Sequence, residues 1–113
     1  MSDKYGQGEV IDVNELVAAN KEKWINFNLS QVNDCIVRLG IFDGEFHWHK
    51  HEQEDELFFV LSGRLLLDLE GVTHELLPGQ GYTVPMKVMH RTRAKEKTVV
   101  LMMEKATVKP KGD

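Results

Sequence analysis

The stretch that decides the fold runs from His47 to Gly63 and reads HWHKHEQEDELFFVLSG. Successive side chains of an extended strand point to opposite faces, so we expect His47, His49 and His51 to share one face. Neutral imidazole is the commonest protein ligand for transition metals, and a row of such rings predicts a metal ion in front of it. A solvated strand or turn that is merely rich in histidine is the alternative interpretation.

Glu56 follows the histidines, at the head of the apolar run 57–61, which Ser62 and Gly63 close as a turn. A carboxylate that enters a buried strand needs a partner, because an isolated charge in a low dielectric is costly. We therefore expect Glu56 to share a site with the histidines. Alternatively, Glu56 lies at the mouth of the strand, in water.

A second stretch, from Gly79 to Ala94, reads GQGYTVPMKVMHRTRA. Its glycines predict a turn, residues 82–84 are typical of a short strand, Pro85 ends that strand, and His90 begins the next one. A lone histidine at such a position is more often structural than a metal ligand. Taken alone, this stretch therefore assigns no role to His90.

The two stretches together resemble the paired motifs of the cupin superfamily, in its small single-domain form. The matching positions are His49-x-His51-x4-Glu56-x6-Gly63 and Gly79-x5-Pro85-x4-His90. The resemblance implies a double-stranded β-helix barrel that binds one divalent transition metal ion, such as Mn, Fe, Ni or Zn. The implied metal ligands are His49, His51, Glu56 and His90.

His47 is left as an extra imidazole outside the matched set. It could line the cavity, replace a ligand, or donate a hydrogen bond to one. The chain also departs from the family motifs at Gly44, which lies five rather than six residues before His49. Lys87 and Ala94 stand where glycine and asparagine are usual. Those positions shape turns and do not bind the metal, so the expected fold is unaffected. The departures argue against assigning this chain the activity of one specific family member.

Composition predicts one globular domain over residues 1–113, because 42% of the residues are hydrophobic and 28% are charged in a chain long enough to bury a core. We expect the ordered barrel at about 22–105 and flexible termini at 1–11 and 106–113. The net charge of -4 and the lack of a basic stripe argue against a nucleic-acid partner. A small-molecule ligand or substrate is the expected partner.

Two observations bear on location. Cys35 is the only cysteine and lies in an apolar run, so we expect a buried, inert thiol and a reducing compartment. The first residues lack a basic segment followed by an apolar one, and no stretch approaches the ~20 apolar residues of a membrane span. We therefore expect a cytoplasmic protein that does not associate with membranes.

Many short strands separated by turn signals, with neither a long helix nor a repeat, predict an all-β antiparallel sandwich or jelly-roll barrel. The resemblance narrows this fold to the RmlC-like cupin barrel. One short N-terminal helix is expected, because Asp12 offers an N-cap with Glu15 three residues later. Asn20 is expected to end that helix.

Two strands carry further expectations. The strand over 35–42 is expected to end in a tight turn at 43–44. Its one charge, Arg38, is expected to point outward into water rather than inward, where it could hold a substrate carboxylate or phosphate. The strand over 98–103 is apolar on both faces, so we expect a partner subunit to cover its outer face in a homodimer.

Three imidazoles and one carboxylate leave two positions free on an octahedral ion, as a reactive site requires, whereas a structural zinc site would be closed and tetrahedral. We therefore expect a metal-dependent enzyme, of oxygenase or isomerase type, that acts on a small polar metabolite such as a sugar derivative or organic acid. His47 and Tyr82 are the candidates for catalytic acid and base. The alternatives are a non-catalytic module that binds or senses a small ligand or metal, and a barrel that keeps its ligands only for stability.

Overall fold

The computed structural model describes residues 3–113, which form a mainly antiparallel β structure. Within these residues, one helix, α1 (Val13–Ala19), precedes seven strands. The strands are β1 (Trp24–Val32), β2 (Cys35–Glu45), β3 (Glu56–Ser62), β4 (Leu65–Leu69), β5 (Val72–Leu76), β6 (Gly81–Val84) and β7 (His90–Lys105). The predicted all-β fold with a short N-terminal helix is therefore confirmed.

Strand β7 joins the two halves of the sheet. The hydrogen-bonded order is β1-β2-β7-β3-β6, and β4 pairs with both β5 and β7. Residues 90–93 of β7 pair with β4, and residues 99–103 pair with β3, while β2 runs along the opposite edge of β7. A single strand of 16 residues thus borders three others. This arrangement curls the sheet around an interior, as a jelly-roll barrel requires.

Each face of the sheet carries its own apolar cluster. The interior cluster consists of Phe42, Phe58, Val60, Leu65, Leu67, Leu76, Val84, Ala94, Val100 and Met102. The outer cluster consists of Leu29, Leu39, Ile41 and Val99. Side chains of α1 and of Tyr5 pack on the outer cluster, and α1 itself contains no fully buried residue. The helix therefore packs on the outer face of the sheet, and it is stabilised by burying apolar side chains against the outer cluster.

The ends of α1 are those that the sequence predicts. The Asp12 side chain accepts a hydrogen bond from the Glu15 backbone N–H at 3.0 Å, which satisfies one of the free donors of the first turn. At the other end, the Asn20 N–H donates to the Val17 carbonyl at 3.3 Å. The helix is only seven residues long, and no helix in the described part of the chain is long and apolar enough to cross a membrane.

The apolar strand segment 98–103 is covered on part of its outer face by the chain itself. Val100 and Met102 point into the barrel, whereas Val99 and Leu101 belong to the outer cluster on which α1 packs. Only Met103 in this segment is largely exposed, at 40%. The helix therefore covers only part of the face on which a partner subunit was expected, and the homodimer stays a prediction.

The structure differs from the sequence expectation at the end of β2. The strand does not turn at 43–44 but continues to Glu45, with a shift in its pairing to β7 between Phe42 and Gly44. Gly44 has a φ of 131°, a conformation that side-chain-bearing residues rarely adopt and that suits such a bulge. The predicted tight turn is therefore wrong. The expectation of a buried Cys35 is also wrong, because its thiol is half-buried at the first residue of β2.

Candidate metal centre

The four residues with the cupin spacing meet at one place. His49 and His51 lie on the loop between β2 and β3, Glu56 is the first residue of β3, and His90 is the first residue of β7. Each is at most 8% exposed. One nitrogen or oxygen atom from each lies within 4.8 Å of the corresponding atoms of the other three. The structure therefore forms a possible metal site from residues that are up to 41 positions apart.

Backbone hydrogen bonds hold this arrangement. His49 and His90 form an isolated antiparallel bridge, with N–H to carbonyl distances of 2.9 Å in both directions. The carbonyl of His51 accepts from the Lys87 N–H at 2.7 Å. The rest of the loop 46–55 is not a regular strand, so the predicted histidine strand is wrong in its extent. His49 and His51 nevertheless point into the same site because the bridge to His90 keeps this part of the loop extended.

Two of the imidazoles are fixed in the tautomer that binds metals. Nδ1 of His49 donates to the His47 carbonyl at 3.0 Å, and Nδ1 of His90 donates to the Val88 carbonyl at 2.9 Å. A carbonyl oxygen can only accept, so each Nδ1 carries the proton. In the neutral ring, Nε2 then presents a lone pair, which is the form in which histidine binds a metal ion.

Glu56 lies at the centre of the cluster. One of its carboxylate oxygens, Oε1, is 3.3 Å from Nε2 of His90 and 3.3 Å from Nε2 of His51. Within residues 3–113, neither ring nitrogen of His51 has a well-aligned hydrogen-bond partner. A nitrogen lone pair that faces a carboxylate oxygen is repelled unless a proton or a cation lies between them. The donor set of three imidazoles and one carboxylate therefore fits a transition metal ion.

The pKa values of the cluster residues are shifted by burial and by their contacts with one another. Burial lowers the pKa of His49 to about 4. Burial raises the pKa of Glu56, but its contacts with His51 and His90 outweigh that effect and lower this pKa to about 2. Burial likewise lowers the pKa of His51, but the neighbouring carboxylate of Glu56 outweighs it, and the net pKa is raised. His49 and Glu56 are thus deprotonated near neutral pH, as metal ligands must be.

A buried ion pair lies in the same interior. Arg38 is 2% exposed, and its Nη1 is 3.0 Å from Oε1 of Glu104. The expectation that Arg38 points outward is wrong, because Glu104 lies on the same face of the neighbouring strand and compensates the charge. Burial and the nearby Glu56 carboxylate raise the pKa of Glu104 to about 7, although Arg38 opposes that shift. Glu104 was not predicted as a site residue from the sequence, although it lies two positions after the inward-facing Met102 and so shares its face of β7.

His47 lies at the edge of the site, beside the C-terminal segment. It is exposed, and its Nε2 donates to the Lys111 carbonyl at 2.7 Å. The Asp113 N–H donates to the Lys50 carbonyl at 3.0 Å, so the segment 108–113 packs along the histidine loop. The flexibility expected for this segment stays a prediction. His47 is outside the buried cluster, and its catalytic role is untested.

Tyr82, the other catalytic candidate, lies on β6. Its ring stacks on the His74 ring with 4.8 Å between centroids, and it packs against the interior cluster. Among residues 3–113, Tyr82 does not line the cavity that His49 and Glu56 border. The structure therefore brings the four expected metal ligands together but leaves both candidate acid–base residues outside the cluster.

A small cavity of about 20 Å³ borders the cluster. Its lining includes His49 and Glu56 on one side and Arg38, Trp24 and Asn26 on the other. A wider, open groove of about 670 Å³ shares several of these lining residues and is bounded on the outside by residues 108–111. Because the two spaces have Arg38 and Trp24 in common, the groove leads from the surface toward the cluster.

Fold and site together define a small single-domain β-barrel protein with a buried cluster of three histidines and one glutamate. The sequence model of the Cupin domain matches residues 40–104, so the chain belongs to the cupin family. The site residues expected from the family motifs all fall within that match.

Three relatives illustrate the similarity. YdbB, an uncharacterized protein of Bacillus subtilis (strain 168), is 46% identical over 94 residues, which cover 80% of this chain and 83% of YdbB. The crystal structure of a cupin-2 domain containing protein from Shewanella frigidimarina has a TM-score of 0.80 at 30% identity and covers 85% of this chain and 94% of its own. A crystal structure of a protein from Neisseria meningitidis has a TM-score of 0.77 at 25% identity. The match covers 87% of this chain and 100% of the Neisseria chain.

Proposed function

We propose that this cupin binds one divalent transition metal ion through His49, His51, Glu56 and His90. The observation that carries the proposal is the hydrogen bonding of the imidazoles. The Nδ1 protons of His49 and His90 are engaged by carbonyls, which leaves both Nε2 atoms for a metal ion, and Nε2 of His90 is 3.3 Å from the buried Glu56 carboxylate. A divalent cation is the group that such a set of acceptors accommodates best.

The donor set also narrows the metal. Three imidazoles with one carboxylate favour Mn, Fe, Ni or Zn over Ca²⁺ or Mg²⁺, which prefer oxygen, and over Cu(I), which prefers sulfur. Four protein ligands leave positions free on a six-coordinate ion, and the groove beside residues 108–111 gives access from solvent. These two features support an exchangeable, reactive site over a closed structural one.

We further propose that the protein is a metal-dependent enzyme, of oxygenase or isomerase type, acting on a small polar metabolite. A bound metal ion of this kind polarises a carbonyl, activates water or engages dioxygen. The chain itself contributes a cavity whose walls include the aromatic rings of Phe42 and Phe58. Outside the cluster, His47 is the nearest imidazole, with 5.3 Å between its ring centroid and that of His49. It remains the candidate proton carrier.

The test of metal binding is elemental analysis of freshly purified protein and of three variants. His90→Ala and Glu56→Ala each remove one ligand, and His74→Ala removes an imidazole that lies outside the cluster. We expect near-stoichiometric metal in the parent and in His74→Ala, and a loss of tenfold or more in affinity in the other two variants. Equal metal content in all four proteins would show that the ligands are misassigned.

The second candidate function is a non-catalytic module that binds a small ligand or metal in the same cavity. Metal-dependent consumption of oxygen, or conversion of a small organic acid or sugar derivative, would exclude it. Bound metal and bound ligand without any product would support it. The homodimer and the cytoplasmic location also remain proposals, and light scattering that gives twice the 13.0 kDa chain mass would support the dimer.

A further inference from the structure

Three buried polar atoms that line the small cavity beside the candidate metal centre have no hydrogen-bond partner within the described residues. They are Nη2 of Arg38, Nε1 of Trp24 and Oδ1 of Asn26. All three residues line the 20 Å³ cavity that His49 and Glu56 also border. Folded proteins satisfy nearly all buried polar groups, and exceptions are typical of places where a water molecule or a ligand supplies the partner.

The unpartnered atoms select the chemistry of that ligand. Nη2 and Nε1 are both donors, so they call for an acceptor, and a guanidinium favours a carboxylate in particular, whereas Oδ1 of Asn26 is an acceptor and calls for a donor elsewhere on the ligand. The Trp24 ring is held in place because it stacks on Phe42 with 4.1 Å between ring centroids. The indole N–H therefore has a fixed direction, which suits the recognition of a planar anion.

The net charge of the barrel interior also favours an anionic ligand. A divalent ion and the Arg38 guanidinium would carry three positive charges in this interior, and the carboxyl groups of Glu56 and Glu104 supply at most two negative charges. One further anionic group would balance the interior, and a buried excess charge is unfavourable. Lys109 and Lys111 border the outer groove and add positive charge along the approach.

The size of the cavity excludes bulky groups. A space of about 20 Å³ holds a group only slightly larger than one water molecule. The end of a short organic acid fits such a space, whereas a sugar ring does not. The remainder of a ligand can extend into the wider groove, where Phe46 and Pro110 form part of the lining of both spaces.

We propose that this cavity is a carboxylate subsite, in which Arg38 Nη2 and Trp24 Nε1 donate to the carboxylate of a small organic acid. The subsite gives the proposed metal-dependent activity its substrate class, and in that sense it rests on the proposed function. It favours an organic acid over the sugar derivative that the family resemblance also allows.

Isothermal titration calorimetry with two matched probes tests the subsite. The probes are 3-hydroxypropanoate and its neutral amide, 3-hydroxypropanamide, which have nearly the same shape and differ in charge. The parent is titrated with each probe, with and without added metal. We expect the acid to bind at least tenfold more tightly than the amide. Equal affinities, including no binding of either probe, would overturn the subsite.

Two variants test whether Arg38 and Trp24 cause the preference for the acid over the amide. Arg38→Gln/Glu104→Gln removes both charges of the buried pair, so no unpaired charge is left in the interior. Trp24→Phe removes the indole N–H together with part of the bicyclic ring, and it keeps an aromatic ring against Phe42. We expect the preference for the acid to disappear in the double variant and to fall several-fold in Trp24→Phe.

The control, Arg64→Gln/Glu75→Gln, removes an exposed pair with an N to O distance of 3.6 Å and should bind both probes as the parent does. An undiminished preference for the acid in both Arg38→Gln/Glu104→Gln and Trp24→Phe would refute the subsite. If the double variant fails to fold by circular dichroism, Trp24→Phe decides the question.

Elemental analysis separates the proposed metal site from the proposed carboxylate subsite. Bound metal without a preference for the acid overturns only the subsite, and the preference without bound metal overturns only the metal-dependent function.

Discussion

Replacing Gly63 with alanine should destabilise the protein through a specific collision. Gly63 follows β3 and has a φ of 82°. A Cβ atom there would lie 2.5 Å from the Thr98 Oγ1 and 2.6 Å from the Lys97 carbonyl oxygen. Thr98 is fully buried, and its hydroxyl oxygen accepts a hydrogen bond from the Arg64 N–H at 3.0 Å. The new methyl group would therefore have to displace a hydrogen-bonded side chain and a backbone carbonyl.

A matched variant separates the collision from backbone strain. Gly71 has a φ of 80°, but a Cβ atom there would meet nothing within 4 Å. The left-handed conformation costs a side-chain-bearing residue about 1–2 kcal/mol, of which about 0.4–1 kcal/mol is offset because alanine restricts the unfolded chain. Gly71→Ala should therefore lower the free energy of unfolding by about 1 kcal/mol. Overpacking adds about 1–3 kcal/mol, so Gly63→Ala should cost about 2–4 kcal/mol.

Urea unfolding followed by circular dichroism gives the change in the free energy of unfolding for each variant. The comparison requires that this free energy falls with urea concentration at the same slope in the variants and the parent. The expected result is that Gly63→Ala is less stable than Gly71→Ala by at least about 1 kcal/mol. Two variants of equal stability would refute the reasoning, since they would show that the region around Thr98 yields without cost.

Three further predictions concern other parts of the molecule. Lys87 has a φ of 70° at a position where the family usually has glycine, so Lys87→Gly should raise the melting temperature by relieving strain; a lower melting temperature would contradict this explanation. The Arg93 guanidinium holds the pKa of Asp68 well below its usual value, so the stabilisation is present above the unfolded-state pKa of about 4 and is lost as the pH falls below it. Unfolding measured from pH 7 to pH 2 should therefore show a steeper loss for the parent than for Asp68→Asn, and parallel curves would argue against the contact. Saturating metal, at a hundredfold excess over its dissociation constant, should stabilise the parent by about 2.7 kcal/mol and His90→Ala by much less, as measured by thermal unfolding with and without chelator.

The spacing of the sequence motifs predicted which residues form the cluster, because histidines two positions apart in extended chain lie on one face. It also predicted Glu56, because a carboxylate at the start of a buried strand needs a partner. Both inferences use local geometry, and the structure brings these residues together with His90. That His90 belongs with them could be expected only from the family motifs, since no local rule relates it to residues 41 positions earlier.

The environment of Arg38 could not be predicted in the same way. Its partner, Glu104, is 66 residues away, and the pair forms only because β2 and β7 are neighbours in one particular register. Periodicity gives the face on which a side chain lies, but it does not say which strand lies beside it. The same limit explains Gly44, where a two-residue shift in the pairing of β2 with β7 replaced the expected turn by a bulge.

Strand β7 contains both His90, at its start, and Glu104, near its end. The two residues are fourteen positions apart, which is an even number, and buried residues alternate along most of this length, so both side chains point into the barrel. Inserting or deleting one residue within 90–104 would reverse the orientation of one of them relative to the other. Protein engineers who wish to alter the length of this barrel should therefore change β7 in steps of two residues.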